Sequence, residues 1–158
     1  LDNAIEQGLE DLFAAELLNS DIKSVQKLLK HKYATVALSD AGAHTSLLCD
    51  AGYALELLSK WTRELKVFSL EEAIHNLTGK QADICRIPKR GRLVPGYFAD
   101  MLLIDPNKIN SSNSYRVNDL PAKSERLLVD PIGIKEIWVN GVNKNQKPAG
   151  KLIREYLS

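Results

Sequence analysis

The sequence predicts an α/β fold, and two observations carry that prediction. Over residues 1–83, apolar residues alternate between helical spacing and short continuous runs, which indicates helices interleaved with buried strands of the parallel kind. Over residues 84–158, the pattern changes to short strands and turns. We therefore expect an α/β part followed by a β-rich part, with the boundary near residue 83.

The α/β part begins with a regular alternation. Residues 2–10 show helical spacing, and a second helix is expected from a cap at Ser20 to about His31. The apolar runs Leu12–Leu18 and Tyr33–Leu38 have the length and composition of buried strands. A strand, a helix and a strand of these lengths form a crossover unit between parallel neighbours.

Two more helices follow in this part. Apolar residues recur at helical spacing over residues 51–65. The second helix is predicted by a capping box, in which Ser69 and Glu72 have the spacing of reciprocal hydrogen bonds. Gly79 is the expected stop of this helix.

The β-rich part contains two predicted strands, over residues 97–105 and 134–139. Asn140-Gly141 is a strong hairpin signal, so residues 142–144 should return antiparallel to the second strand. Residues 106–130 are polar and rich in Asn, Ser and Pro, which predicts a long irregular excursion.

The composition of the chain narrows the classes of function that it could have. The 158 residues carry a formal net charge of +1, which gives no indication of binding to nucleic acid or to a membrane surface. No apolar run approaches the roughly 20 residues of a membrane span.

Cys49 and Cys85 form no CxxC pair, so we expect reduced thiols and a cytoplasmic location. Because Leu1 already lies in a helical pattern, we expect a fragment or a trimmed product.

The histidines do not form a metal motif. His31, His44 and His75 are scattered, and neither His-x-His nor HExxH occurs. The sequence therefore predicts that the chain carries no complete metal site of its own.

The candidate site is the loop after the strand Tyr33–Leu38. Asp40 and His44 follow that strand, and Asn19 ends the strand before it, so all three are expected at one edge of the sheet. In α/β proteins this edge collects ligands and catalytic groups. The alternative is that Asp40 only caps the next turn or helix.

Two residues just beyond this loop have simpler interpretations. Cys49 follows two leucines and is expected to be a small buried residue rather than a nucleophile. Asp50 is expected to cap the following helix.

Three stretches carry a resemblance to a known family. The segments Leu38–Asp50 (LSDAGAHTSLLCD), Gly91–Asp105 (GRLVPGYFADMLLID) and Ile137–Val142 (IWVNGV) resemble, in this order, the carboxyl-terminal part of the amidohydrolase superfamily. The first segment is most similar to the branch of N-acyl-D-amino-acid deacylases, the D-aminoacylase-like enzymes.

The resemblance implies a fold and a cofactor. The family folds as a (β/α)8 barrel with a small β-sandwich, so residues 1–83 would supply the last strands and helices of the barrel and residues 84–158 part of the sandwich. One or two divalent metals, usually zinc, bind at the barrel mouth. The substrate class implied is a small N-acyl amino acid or a related amide.

The resemblance also implies roles for the site residues. Asp40 matches the aspartate that approaches or ligates the metal and shuttles a proton from the metal-bound water to the leaving amine. His44 matches a histidine that contacts the substrate or the oxyanion, or else hydrogen-bonds to Asp40. Asn19 is a weaker candidate for substrate contact.

The family's earlier metal-binding motifs are missing here. We therefore expect that the chain alone binds no catalytic zinc and turns over no substrate, and that it needs the missing amino-terminal barrel segment as a partner. Exposed barrel edges would favour self-association or a swapped dimer.

Two other functions stay open. The chain could be a non-catalytic folding or assembly module with a relic site. Within the enzyme class, a cyclic-amide hydrolase of the dihydropyrimidinase or dihydroorotase type is the second choice.

Overall fold

The computed structural model describes residues 2–6, 8, 18–37 and 39–154. The chain divides into two compact units, Leu1–Ala34 and Thr35–Ser158, and each is described by itself. The described residues mix helices and strands, which agrees with the coarse part of the α/β prediction, but all the described strand pairs are antiparallel rather than parallel. None of the described helices combines the length and the apolar character needed to cross a membrane. The predicted division at residue 83 into barrel and sandwich parts stays a prediction.

The first unit contains two helices, α1 (Asp2–Glu6) and α2 (Ile22–Leu29). The predicted cap at Ser20 is wrong, because Asp21 caps α2 instead. Its Oδ2 accepts hydrogen bonds from the Ser24 hydroxyl and, at 3.0 Å, from the Ser24 N–H, and these two hydrogen bonds lower the pKa of Asp21. A carboxylate one residue later in the chain reaches the free amides of the first turn, so it displaces the hydroxyl as the cap. The predicted strand Leu12–Leu18 lies outside the described residues, except for Leu18 itself.

The predicted strand Tyr33–Leu38 is wrong over its described residues, 33–37, which form a turn and an irregular segment. Tyr33 is 81% exposed, so the apolar run is not buried. No strand pairs with residues 33–37 in the described part of the chain, and an isolated strand leaves its backbone groups without partners. The Gln81 side-chain amide instead donates to the Val36 carbonyl at 2.6 Å.

The core of the second unit lies around its helices. Helix α3 (Tyr53–Glu56) continues as a π-helix over Leu57–Glu64, so the helix predicted at 51–65 is present but starts later and widens. The wide turn is closed by the Leu65 N–H, which donates to the Lys60 carbonyl at 2.8 Å. Among the described residues of this unit, the buried apolar side chains are Leu57, Leu58, Trp61, Val67, Phe68, Ala73, Ala82 and Ile109.

The capping box of α4 (Leu70–Leu77) is confirmed. The Glu72 N–H donates to Ser69 Oγ at 3.1 Å, and the Ser69 N–H donates to Glu72 Oε2 at 2.8 Å. Helix α4 ends at Leu77 with Thr78 at its C-cap, so it stops just before Gly79 as predicted, and a further helix, α5 (Gly79–Ile84), begins at that glycine. A Cβ at Gly79 would lie 2.8 Å from His75 Nδ1, so the glycine allows the two helices to meet closely.

Arg63 joins the helices to the strands. Its Nη1 donates to the carbonyls of Ile109, Asn107 and Pro106 at 2.7, 3.3 and 3.4 Å. One guanidinium nitrogen of Arg63 thus stabilises the turn at residues 106–109, which ends at the buried residue Ile109.

Seven short strands form three antiparallel sheets in the described residues, with the orders β1–β6–β7, β2–β5 and β3–β4. The strands are β1 (Met101–Ile104), β2 (Asn110–Ser111), β3 (Tyr115–Val117), β4 (Arg126–Leu128), β5 (Pro131–Ile132), β6 (Ile134–Val139) and β7 (Val142–Asn143). The strand predicted at 134–139 is present as β6, and the strand predicted at 97–105 is present only over Met101–Ile104, as β1. The excursion predicted at 106–130 is wrong, because this segment contains β2, β3, β4 and a core residue.

The predicted hairpin at Asn140-Gly141 is confirmed. It joins β6 to β7, and both turn residues have positive φ, 51° for Asn140 and 76° for Gly141. Two consecutive residues in the left-handed region match the twist of an antiparallel pair, which explains the preference for Asn-Gly.

A polar cluster of Arg90, Asp100 and Asn140 connects this hairpin to the segment before β1. Asp100 accepts the Asn140 N–H at 2.8 Å and forms an ion pair with Arg90. Arg90 also donates to Asn140 Oδ1 at 2.7 Å, and its guanidinium stacks on the Phe98 ring, 4.3 Å from the centroid. Removal of Asp100 therefore leaves a charge and a backbone N–H without their partner.

We predict that Asp100→Ala lowers the free energy of unfolding of the full chain by about 2 kcal/mol, because hydrogen bonds to charged groups are worth about 1.5–3 kcal/mol. The measurement is urea denaturation followed by tryptophan fluorescence. Asp83→Ala is the control, since Asp83 forms a more exposed ion pair with Arg92. Equal losses in the two variants would contradict the structural importance of the cluster.

Candidate active site

Asp40 lies in a tight turn that the sequence makes possible. Its φ is 54°, in the left-handed region that Asp tolerates better than most residues, and Gly42 follows with φ 97°. The Asp40 carbonyl accepts the Ala43 N–H at 3.1 Å, and Ser39 Oγ accepts the Ala41 N–H at 3.3 Å. The Asp40 side chain is exposed, so its carboxylate is accessible from solvent.

His44 begins a second turn in the same loop. Its carbonyl accepts the N–H groups of Leu47 and Leu48 at 2.8 and 3.1 Å, while its side chain is exposed. No hydrogen bond joins the side chains of His44 and Asp40 among the described residues. The structure thus presents a carboxylate and an imidazole on one short loop, each free to contact a third molecule.

Asn19, the third predicted site residue, belongs to the first unit. It is exposed and has φ 58°. The prediction that Asn19 shares a site with Asp40 stays a prediction.

Sequence reasoning missed the contact between this loop and the hairpin β3–β4. The Leu127 N–H donates to the Thr45 carbonyl at 2.8 Å, and Arg116 Nη1 donates to the Ser46 carbonyl at 3.2 Å. The two short strands, Tyr115–Val117 and Arg126–Leu128, were the available signal. They carry no Asn-Gly turn between them, so the hairpin was not predicted.

A polar cleft of about 520 Å³ lies next to this region in the same unit. Cys49 and Asp50 contribute to its wall, together with Glu56, Ser59 and Lys60. Neither Asp40 nor His44 lines it. Lys60 Nζ forms an ion pair with Glu56 Oε1 at 3.0 Å, and the other polar side chains of the wall carry hydroxyl, carboxylate and amide groups.

Cys49 and Asp50 differ in how they match their predictions. Cys49 is a free thiol that is only half-buried and contributes to the wall of the cleft, so the predicted burial is met in part. Asp50 does not cap α3: Gly52 occupies the cap position, with no side-chain hydrogen bond, and Asp50 contributes only its carbonyl to the Tyr53 N–H at 3.1 Å. The N-cap position of α3 is two residues after Asp50, so the Asp50 carboxylate is not at the position from which a side chain caps the helix.

The residues that the structure describes do not fit a metal ion on their own. Within the described ranges, no group of three or more His, Cys, Asp or Glu side chains could hold one. Asp40 therefore offers at most one carboxylate to a metal, and the remaining ligands would have to come from elsewhere.

Comparison with known proteins identifies the family. The sequence model of the amidohydrolase family matches residues 11–142, which include the whole loop from Ser39 to Leu48. The chain belongs to the amidohydrolase family. The predicted resemblance is thereby confirmed, and the matched region extends over both the helical and most of the strand-rich parts.

Three amidohydrolases of Alcaligenes xylosoxydans xylosoxydans are similar to this chain. An N-acyl-D-aspartate deacylase is 33% identical over 90 residues, a D-aminoacylase 31% over 93 residues and an N-acyl-D-glutamate deacylase 26% over 125 residues. These matches cover 57%, 59% and 77% of this chain, and 16%, 17% and 23% of the three enzymes. The chain thus spans less than a quarter of the length of these relatives.

Solved structures of D-aminoacylase are also similar. The crystal structure that defined it as a novel subset of amidohydrolases is 29% identical, with a TM-score of 0.45, over 58% of this chain and 18% of that one. A D-aminoacylase mutant in complex with copper chloride matches with the same values, as does a structure from work on the binuclear metal centre of D-aminoacylase.

A hydrogen bond of the hairpin β3–β4 involves a titratable side chain, that of Tyr115. Tyr115 Oη donates to Asp130 Oδ2 at 2.9 Å, and this hydrogen bond raises the pKa of Tyr115 above its ordinary value of 10.0. Because the folded-state pKa is the higher one, the contribution to stability is complete below pH 10 and is lost as the pH rises through the folded-state pKa.

We predict that a spectrophotometric titration of the full chain shows a tyrosine transition above pH 10 that Tyr115→Phe removes. Asp130→Asn should move that transition towards pH 10, whereas Asp105→Asn, which leaves the Tyr115 hydrogen bond intact, should not. A transition that survives in Tyr115→Phe would show that another tyrosine is responsible.

Proposed function

We propose that this chain supplies the carboxyl-terminal part of a metal-dependent amidohydrolase that hydrolyses the amide bond of N-acyl D-amino acids. The observation that carries the proposal is the family match over residues 11–142, which contains the Asp40 loop. The names of the three relatives, all deacylases or aminoacylases of D-amino acids, support the substrate class.

The proposed role of Asp40 is proton transfer. Hydrolysis of an amide requires that the attacking water lose a proton and that the leaving amine gain one. The exposed carboxylate of Asp40, held in a short turn, is suited to accept the first proton and to deliver it to the amine nitrogen. A single carboxylate can do both, because the two transfers occur in sequence.

The proposed cofactor is a divalent metal, with zinc as the first choice. When bound, such an ion lowers the pKa of a water ligand towards about 7 and polarises the substrate carbonyl. Asp40 would give it one carboxylate oxygen. Since the described residues form no metal cluster, we propose that this chain alone is inactive and that the other ligands belong to an amino-terminal barrel segment.

The other two site residues would contact the substrate. His44, exposed on the same loop, is proposed as a donor to the substrate or to the oxyanion, and Asn19 as an additional contact. In the same proposal, residues 1–83 belong to the barrel and residues 84–158 to the sandwich. The free thiols of Cys49 and Cys85 favour a cytoplasmic location.

One observation favours a second function, that of an assembly module. Strand β1 lies at the edge of its sheet, and its side chains Leu102 and Leu103 are 58% and 46% exposed. An apolar edge strand is a surface for pairing. Sedimentation of the full chain tests this second function, because an assembly module forms a stable oligomer and a monomer would contradict it.

We predict that Asp40→Asn lowers kcat by about 10²–10⁴-fold in an active amidohydrolase that contains this chain, because general acid–base catalysis typically contributes that factor. The assay is hydrolysis of N-acetyl-D-aspartate and N-acetyl-D-glutamate, with dihydrouracil included to detect a cyclic-amide hydrolase. The urea denaturation curve should be unchanged, since Asp40 is exposed.

Asp50→Asn is the matched control, because Asp50 is also an exposed aspartate but does not belong to the loop turn. Its activity should stay close to that of the unmodified protein. Near-full activity of Asp40→Asn on every amide tested would remove Asp40 from the mechanism.

A further inference from the structure

The loop that carries Asp40 and His44 is held from one side by a single cross-strand pair. Arg116 of β3 and Leu127 of β4 lie directly opposite each other. Arg116 donates to the carbonyl of Ser46 through Nη1, and Leu127 donates to that of Thr45 through its N–H. Two neighbouring positions in the hairpin thus bind two consecutive carbonyls of the loop.

These contacts begin immediately after His44. The His44 carbonyl is bonded within its own turn to Leu47 and Leu48, and the next two carbonyls are bonded to the hairpin. Three successive peptide groups after the His44 Cα therefore have defined orientations. Because the Cα–Cβ direction follows from the backbone, the hairpin influences where the imidazole points.

Glu125 restricts the Arg116 side chain before it contacts the loop. Its Oε1 lies 2.7 Å from Arg116 Nη1, the same nitrogen that reaches the Ser46 carbonyl. The ion pair limits the rotamers of a long side chain, so less conformational freedom is lost when the contact with the loop forms.

We propose that Arg116 is a positioning residue, which acts with the Leu127 amide to hold His44 in its working orientation. The catalytic part of this inference depends on the proposed function, whereas the contact itself does not. The hairpin β3–β4 is thereby a support of the active-site loop.

The first test measures the loop directly. In hydrogen-exchange experiments on the full chain, Arg116→Ala should accelerate exchange of the Leu47 and Leu48 amides by about three- to tenfold, because a hydrogen bond to a charged group is lost beside them. Arg116→Lys, which retains a charged donor, should restore the protection to within about twofold.

Arg92→Ala is the matched control. Arg92 is as exposed as Arg116, 37% against 39%, and forms a comparable ion pair, with Asp83, away from the loop. Exchange at Leu47 and Leu48 should not change in this variant. Unchanged exchange in Arg116→Ala, or equal acceleration in Arg92→Ala, overturns the positioning role.

The second test separates positioning from general stability. In an active amidohydrolase that contains this chain, Arg116→Ala should lower kcat/KM for N-acetyl-D-aspartate by about tenfold, in the range expected when a substrate contact is misplaced. In a His44→Ala background the same change should have little further effect, because the residue it positions is gone.

The outcomes distinguish the two proposals. An equal loss from Arg116→Ala in both backgrounds overturns the positioning role and leaves a structural one. If the loop amides respond as predicted but His44→Ala keeps full activity, the contact is supported and the proposed role of His44 fails.

Discussion

The second unit depends on arginine side chains that bind main-chain carbonyls where regular pairing is absent. Main-chain carbonyls need a hydrogen-bond donor, and those in irregular segments cannot obtain one from a neighbouring strand. Arg63 meets this requirement for the turn at Pro106–Ile109, where one nitrogen binds three carbonyls. That turn lies between β1 and β2 and places Ile109 in the core, so Arg63 connects the helices to the strands at this point.

The same chemistry recurs at the candidate site. Arg116 binds a carbonyl of the loop that carries Asp40 and His44, and the adjacent Leu127 amide binds another. A tight turn with positive φ at Asp40 presents an exposed carboxylate, and the hairpin fixes the chain on the far side of His44. The chemistry proposed for the loop thus depends on a segment that lies some 70 residues away in the sequence.

What the sequence could predict was mostly local. The capping box at Ser69 and the Asn140-Gly141 hairpin are complete within a few residues, and both were predicted correctly. The strand at Tyr33–Leu38 was not, because a strand exists only when another strand pairs with it, and this information is not local. For the same reason β3 and β4 were missed. The site shows the same division: that Asp40 and His44 share a loop followed from the sequence, whereas the support of that loop by Arg116 did not.

The chemistry proposed for this chain depends on the Asp40 carboxylate acting on the scissile amide. The decisive measurement is a crystal structure of an active amidohydrolase containing this chain, in complex with a phosphonamidate analogue of an N-acyl D-amino acid. We expect an Asp40 carboxylate oxygen at about 2.6–3.2 Å from an oxygen or nitrogen of the tetrahedral group. An Asp40 side chain that points away from the bound analogue, with another carboxylate in that place, would contradict this role.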